Sequence, residues 1–155
     1  IDLGRSLKLD HPTTHIIIAG AGELLEELKL LSESESLPII FLGWRNDIDL
    51  ILSASDIAVL CSDNEGIPLT LIQASQAALP IVTTNVGSVS DIVLDGVTGL
   101  LTEVSANGVI QGVSKLLDDP DLRARLGESG QMRARELFSS QAMVERHEEL
   151  YSQSL

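Results

Sequence analysis

The chain has 155 residues, of which 44% are hydrophobic and 21% are charged, a composition typical of one globular domain with an adequate core. Its 23 acidic residues outnumber the 10 basic ones, and the formal charge of −13 is expected to repel nucleic acids and anionic lipids. The single cysteine, Cys61, excludes an internal disulfide, and no apolar run is long enough to span a membrane. We therefore predict a cytoplasmic protein with no nucleic-acid partner and no membrane span in these residues.

Short apolar runs alternate with amphipathic segments through the first two thirds of the chain. The runs are rich in β-branched residues and lack polar alternation, which predicts parallel strands covered on both faces. Helices are predicted between them, where Leu24, Leu25, Leu28 and Leu31 recur at helical spacing and a proline opens a later segment. The predicted strands cover residues 14–20, 38–43, 56–62, 80–85 and 99–102, and the predicted helices between them cover residues 22–34, 47–55 and 68–78.

The last third of the chain contains three predicted helices with no strand between them, at about residues 105–118, 120–137 and 139–152. Pro120 follows two aspartates and is expected to open the second of these helices. Strands alternating with helices are typical of right-handed βαβ units. The fold class predicted is a Rossmann-like, three-layer α/β/α fold with a parallel sheet, in which the closing helices form a buttress rather than a second domain.

The chain begins with "IDLGRSLKL", which is typical of the end of a helix. We expect the strand that would precede this helix to be missing. Residues 1–155 are then a single domain truncated at its N-terminus, and the alternative is a processed but complete protein.

Two predicted strands end in turns that contain glycine, "AGAGE" (19–23) and "FLGWRND" (41–47). Ligands of open parallel sheets bind at the carboxyl ends of the strands, so both turns are candidate binding segments. Gly20 and Gly22 would let the backbone approach a phosphate or a ribose closely, and they suit a tight strand-to-helix turn equally well. Trp44, taken alone, is expected to be a half-buried packing residue in preference to a base-stacking one.

The turn "CSDNEGIPLTLIQAS" (61–75) carries an acid between two apolar runs. Glu65 lies shortly before a helix that is predicted to begin near Pro68, so its carboxylate can complement the helix dipole. That interpretation leaves Gly66 and the position of Gln73 unexplained. Gln73 falls about a turn and a half into the helix, where it and Glu65 would flank one crevice and hold opposite ends of a sugar nucleotide.

The segment "SDNEGIPLTLIQASQAALPIVTTNVGSVSDIVLDGVTGLL" resembles the signature of the retaining GT-B glycosyltransferases of family four, the glycosyl transferases group 1. "IIIAGAGE", "FLGWRNDI" and "SASDIAVLCS" upstream resemble the same family in the same order. "LLDDPDLRARLGESG" and "FSSQAMVERHEELY" downstream do so as well. The resemblance covers about residues 14–151 and lies in the C-terminal, nucleotide-sugar-binding domain of that family.

The resemblance implies transfer of a glycosyl group from a nucleotide sugar, such as a UDP- or GDP-sugar, to an acceptor with retention of configuration. It implies no cofactor and no obligatory metal. Glu65 is the implied catalytic residue, binding hydroxyl groups of the donor sugar, and residue 73 would hold the ribose. The implied donor-binding residues are Gly20, Gly22, Gly43, Trp44, Arg45, Glu65, Gly66, Ile67, Pro68, Leu69 and Gln73.

The sequence departs from the family pattern at three places. Gln73 stands where the family has its second acid, and the family's motif of two glycines and a glutamate appears as Gly87, Ser88 and Asp91. The arginine and lysine that neutralise the diphosphate in the family, and its acceptor-binding domain, would precede residue 1. Residues 1–155 are therefore expected to be inactive alone. Any association with the inner membrane would be peripheral, through the missing domain.

Two alternative functions compete with transfer. The first is a diverged, non-catalytic sugar-nucleotide-binding or scaffold domain, which Gln73 favours. The second is a nicotinamide-dependent oxidoreductase, which "GAGELL" (20–25) disfavours because the third glycine of the dinucleotide motif is absent.

Overall fold

The computed structural model describes residues 1–152. It divides into two compact units, Ile1–Ile48 and Asp49–Leu155. Each unit contains parallel strands joined through helices, as the alternation of apolar runs and amphipathic segments predicts.

The first unit contains two helices and two parallel strands. They are α1 (Asp2–Asp10), β1 (Ile16–Ala19), α2 (Leu25–Ser34) and β2 (Ile39–Gly43). Ile16 of β1 lies opposite Ile39 of β2. Helix α1 is tied to the end of α2 by Arg5, whose Nε donates to a carboxylate oxygen of Glu35 at 2.7 Å.

One face of the β1–β2 pair is exposed. Ile17 is 39% exposed, Ile40 45% and Leu42 37%. The prediction that the strands are covered on both faces is therefore wrong for β1 and β2. An unbroken apolar run indicates that both faces of a strand can be buried, but it does not show whether another element covers them. Leu24 is also exposed, since α2 begins one residue after it and the predicted leucine stripe starts too early.

The second unit contains a three-stranded parallel sheet in the order β3-β4-β5, with helices between and after its strands. The remaining elements are α3 (Ile48–Ser53), β3 (Ala58–Leu60), α4 (Leu69–Gln76), β4 (Ile81–Thr84), α5 (Val89–Ile92), β5 (Gly99–Thr102), α6 (Ala106–Asp118), α7 (Pro120–Leu137) and α8 (Ser140–Ser152). Every predicted strand and helix is confirmed, mostly with shorter bounds. Helix α5 was not predicted, because four residues are too few to show a period.

Strand β4 lies at the centre of this sheet and is buried along its whole length. Ile81, Val82 and Thr83 are 0% exposed and Thr84 is 2% exposed. Strand β3 differs, since Val59 is 40% exposed. Full burial of a valine or isoleucine side chain contributes about 1.5–3 kcal/mol, so β4 supplies a large share of this core.

Helix α7 packs closely against the end of α4. A Cβ atom added at Gly127 would lie 2.1 Å from the carbonyl oxygen of Ala78, so only glycine permits this approach. Nearby, the Gln131 side-chain amide donates to the carbonyl oxygen of Gln76 at 2.8 Å. Pro120 is the first residue of α7, as predicted, and the helix forms the expected buttress.

Gly127→Ala is expected to destabilise the protein by about 1–3 kcal/mol, because the added methyl group overpacks a backbone contact. Gly130→Ala is the matched control in the same helix. Its Cβ would lie 3.4 Å from the nearest atom, an ordinary contact, and alanine favours the helix by about 1 kcal/mol. Urea denaturation of the two variants measures the difference. Equal free energies of unfolding would contradict the close approach of α7 to Ala78.

Candidate nucleotide-sugar site

The turns after β1 and β2 lie side by side in the first unit. The amide of Gly20 donates to the carbonyl oxygen of Gly43 at 2.8 Å. Their φ angles are +143° and +67°, values that favour glycine, and a Cβ at either residue would meet nothing within 4 Å. Gly22 is equally open. The backbone at the ends of both strands is therefore accessible to a ligand.

Trp44 follows the second of these turns and is 78% exposed. Its indole Nε1 donates to the side-chain oxygen of Asn46 at 3.2 Å. The expectation of a half-buried packing residue is wrong, because the indole that follows Gly43, a residue with positive φ, lies outside the core.

Arg45 is paired with an acid two residues later. Its Nε donates to a carboxylate oxygen of Asp47 at 2.8 Å, and a second nitrogen contacts the other oxygen. The hydrogen bond from Arg45 lowers the pKa of Asp47 below its ordinary value and raises the pKa of Arg45. Both side chains are substantially exposed, so the guanidinium is charged, accessible and already in contact with an anion.

The loop that contains Glu65 lies in the second unit, between β3 and α4. Helix α4 begins at Leu69 after Pro68, and no side chain caps its N-terminus. By contrast, Ser105 caps α6 and Asp119 caps α7 through their side-chain oxygens. Helix capping therefore does not explain Glu65, which is half-buried in the loop.

The residues around Glu65 divide into an anchor and an exposed rim. Pro68 is buried, whereas Ile67 and Leu69 are each 68% exposed. Gly66 is exposed as well, with open space where a Cβ would lie. The backbone of residues 66–69 is thus anchored in the protein at Pro68 and exposed to solvent on either side of it.

Gln73 lies on α4 and is exposed, while the neighbouring Leu71 and Ala74 are buried in the core. The side chain of Gln73 is therefore accessible to solvent. A neutral amide there can both donate and accept hydrogen bonds, as the hydroxyl groups of a ribose require.

Two residues hold the Glu65 loop from β4 and the turn after it. The sequence did not identify Thr84, and it identified Gly87 only as a glycine of the family pattern. The hydroxyl group of Thr84 donates to the carbonyl oxygen of Ser62 at 2.6 Å. Gly87 approaches Glu65 so closely that a Cβ there would lie 1.8 Å from the Glu65 carbonyl oxygen. A glycine shortly after an apolar strand was the available sequence signal.

The structure thus brings Gly20 and Gly43 together in one unit, and Glu65 through Leu69 in the other. That these two groups form one site stays a prediction. Among the side chains that the structure describes, those of residues 1–145, 147, 148, 151 and 152, no group of three or more His, Cys, Asp or Glu is arranged to hold a metal ion. No helix in the same residues is long and apolar enough to cross a membrane.

Comparison with known families identifies the class of protein. The family described as "Glycosyl transferases group 1" matches residues 1–133, and the chain belongs to it. The chain is 32% identical over 114 residues to N-acetyl-alpha-D-glucosaminyl L-malate synthase of Bacillus anthracis, covering 73% of this chain and 30% of the relative. It is 34% identical over 112 residues to UDP-Gal:alpha-D-GlcNAc-diphosphoundecaprenol alpha-1,3-galactosyltransferase of Escherichia coli, covering 70% of this chain and 29% of the relative. The chain therefore spans about a third of these relatives.

Solved structures show the same fold. Anabaena Alr3699/HepE, in complex with UDP and glucose, superposes with a TM-score of 0.88 at 22% identity, over 98% of this chain and 44% of that one. Sucrose-phosphate synthase from Thermosynechococcus elongatus gives a TM-score of 0.85 at 22% identity, over 98% and 41%. The predicted three-layer α/β/α class with parallel strands is confirmed.

In an NMR titration, the Asp47 carboxyl group is expected to titrate below the ordinary aspartate pKa of about 3.9, because Arg45 stabilises the charged form. Arg45→Gln should raise the pKa toward that value. A depressed folded pKa means that any stability from the pair is present above the ordinary pKa and lost as pH falls through the folded value. The pair is exposed, so this contribution is small.

Lys29→Gln is the control for that titration, because Lys29 pairs with Glu26 elsewhere in the same unit. This change should leave the Asp47 pKa where it is. An Asp47 pKa that does not respond to Arg45→Gln would show that the pair does not form in solution.

Proposed function

We propose that the protein transfers a glycosyl group from a nucleotide sugar, such as a UDP- or GDP-sugar, to an acceptor with retention of configuration. Residues 1–155 supply most of the donor site. The acceptor-binding domain lies in the part of the enzyme beyond these residues. Family membership supports the reaction class, and the chain's coverage of about a third of its first relatives supports the second domain.

The observation that carries this proposal is the position of Glu65. It lies in an exposed loop ahead of a helix whose N-terminus no side chain caps. The first amides of a helix lack intrahelical partners and carry the positive end of its dipole. The sugar hydroxyl groups of a nucleotide-sugar donor can donate to the Glu65 carboxylate. Its anionic diphosphate can accept hydrogen bonds from backbone amides at the start of the helix.

Transfer breaks the bond between the anomeric carbon and the phosphate oxygen and forms a bond to an acceptor oxygen. The nucleoside diphosphate leaves with the bonding electrons, and the acceptor hydroxyl group loses its proton. The backbone amides of Gly66, Ile67 and Leu69 would stabilise the charge that develops on the leaving oxygen. Glu65 would accept hydrogen bonds from the donor sugar and hold its anomeric carbon in place.

The remaining donor contacts follow the family pattern. The open backbone at Gly20, Gly22 and Gly43 would lie under the nucleotide, and Trp44 and Arg45 would border the base. The exposure of Trp44 supports a ligand contact there, since a large aromatic side chain gains most when a partner covers it.

Glu65→Gln in the polypeptide that contains both domains is expected to reduce turnover by roughly 10²–10³-fold, because a charge-assisted hydrogen bond of the transition state is lost. The free energy of unfolding should change by less than about 0.5 kcal/mol, as for other substitutions outside the core. Release of nucleoside diphosphate in the presence of acceptor measures turnover, and urea denaturation measures the free energy of unfolding. Glu128→Gln, an exposed acid on α7, is the control. Equal losses of activity and stability would support a structural role for Glu65 and count against the proposal.

A non-catalytic sugar-nucleotide-binding or scaffold domain is the second candidate, and Gln73 is the observation that favours it. Gln73→Glu restores the family's acid on an exposed helix face. Hydrogen bonds to a charged group contribute about 1.5–3 kcal/mol, against about 0.5–1.5 kcal/mol for neutral ones. If residue 73 holds the ribose, donor binding should tighten by about 1 kcal/mol, or several-fold in Kd.

Gln76→Glu controls for the added charge, because it places the same carboxylate at the end of the same helix. Calorimetry with UDP- and GDP-sugars on the two-domain polypeptide gives the affinities. Unchanged or weaker binding in Gln73→Glu would mean that the site has been rebuilt around the amide, or that the ribose binds elsewhere. Either result would favour the non-catalytic candidate.

A further inference from the structure

The turn between β4 and α5 makes an unusually close backbone contact with the Glu65 loop. A Cβ added at Gly87 would lie 1.8 Å from the Glu65 carbonyl oxygen and 2.9 Å from its carbonyl carbon. Gly87 also has a φ of +52°, in the left-handed region. Any other residue at 87 would have to displace either its own turn or the backbone of Glu65.

The β4–α5 turn is the firmer of the two partners. Val89, Ile92 and Val93, which follow Gly87, are no more than 3% exposed. Arg133 of α7 also donates to the Asp91 carbonyl oxygen at 2.9 Å, which ties the end of this segment to the buttress. The loop at 63–66 is exposed or half-buried. A clash at residue 87 is therefore relieved by movement of Glu65.

Thr84 holds the same loop at its other end. Its hydroxyl group donates to the Ser62 carbonyl oxygen across 22 positions of sequence, and its side chain is buried at the end of β4. The loop that carries Glu65 is thus fixed at residues 62 and 65 by one neighbouring segment. Neither contact involves the Glu65 side chain, which leaves the carboxylate available.

We propose that Thr84 and Gly87 are positioning residues, which set the backbone of Glu65 and thereby the place of its carboxylate relative to the donor sugar. The effect on transfer rests on the proposed function, whereas the backbone contact does not. An alanine at 87 would move Glu65 by more than about 1 Å, and displacements of that size can reduce catalytic rates about 100-fold.

The first experiment records amide NMR spectra of the 155-residue chain with Gly87→Ala and with Gly96→Ala. Gly96 is a matched control, because its φ of +68° imposes the same backbone cost while its Cβ would meet nothing within 4 Å. The amide of Gly66 belongs to the same peptide group as the Glu65 carbonyl. Its resonance should move several-fold further in Gly87→Ala than in Gly96→Ala. A Gly66 amide that stays in place, or that moves equally in both variants, overturns the proposal.

A second pair of variants keeps the proposal testable if Gly87→Ala does not fold. Thr84→Val removes the hydroxyl group while keeping the shape of the side chain, and Thr84→Ser retains the hydroxyl group. The Asp63 amide, which shares a peptide group with the Ser62 carbonyl, should shift in Thr84→Val and return in Thr84→Ser. The same shift in both variants, or in neither, counts against the proposal.

The functional arm measures transfer from a UDP- or GDP-sugar by the two-domain polypeptide. Gly87→Ala should lower kcat about 100-fold and weaken inhibition by the free nucleoside diphosphate much less, because among the amides proposed to contact the diphosphate only that of Gly66 belongs to the displaced peptide group. Gly96→Ala should retain its kcat. If the resonances move as expected while Glu65→Gln leaves transfer intact, the contact stands and the proposed role of Glu65 fails. If nucleotide inhibition weakens by as large a factor as kcat in Gly87→Ala, the selective positioning of Glu65 is overturned.

Discussion

The complete burial of strand β4 is the constraint on which the rest of the second unit depends. Strands β3 and β5 pair with both of its edges, and no residue of β4 is more than 2% exposed. On one face, helix α6 approaches so closely that a Cβ at Gly112 would lie 2.7 Å from Val82. A strand packed in this way has a fixed carboxyl end. The turn that follows it is therefore also fixed, and neighbouring loops that contact this turn are positioned by it.

Polar groups at that carboxyl end need internal partners, because buried hydroxyl groups without hydrogen bonds are costly. Thr84 finds its partner in the carbonyl of Ser62, in the loop that leads to Glu65. The same hydrogen bond therefore satisfies the buried Thr84 hydroxyl group and helps to hold the loop that leads to Glu65. Helix α7 extends this arrangement, since it contacts the chain just beyond α4 through Gly127 and binds the end of α5 through Arg133.

The sequence predicts the order and type of the elements well, because those follow from local periods. β-Branched runs mark the strands, leucine spacing marks the helices, and Pro120 marks the start of α7. What it does not predict is which face of a strand is covered, as the exposed face of β1 and β2 shows. Whether a strand face is covered depends on elements distant in sequence. The apolar run of the strand itself is the same whether that face is covered or exposed.

The candidate site divides in the same way. Glu65 and Gln73 were identifiable because their spacing on either side of a helix start is local. The exposure of Trp44 was not, because it depends on the direction in which the chain leaves Gly43. The contacts of Thr84 and Gly87 with the Glu65 loop join residues about 22 positions apart, which no local pattern encodes. The sequence therefore points to the polar groups of the candidate site but not to the backbone contacts around them.

The charge distribution limits how a diphosphate could be held. No lysine or arginine occurs between residues 49 and 114, so the Glu65 loop carries no cation of its own. Arg133 of α7 is the cation tied to the segment after Gly87, where it donates to the Asp91 carbonyl oxygen. The four cations of the first unit all contact acids or carbonyl oxygens, and among them Arg45 lies in a candidate ligand-binding turn. Its pair with Asp47 is exposed, and such pairs contribute only about 0–1 kcal/mol. The pair therefore contributes little to stability, and each lysine and arginine of residues 1–48 already has an oxygen partner.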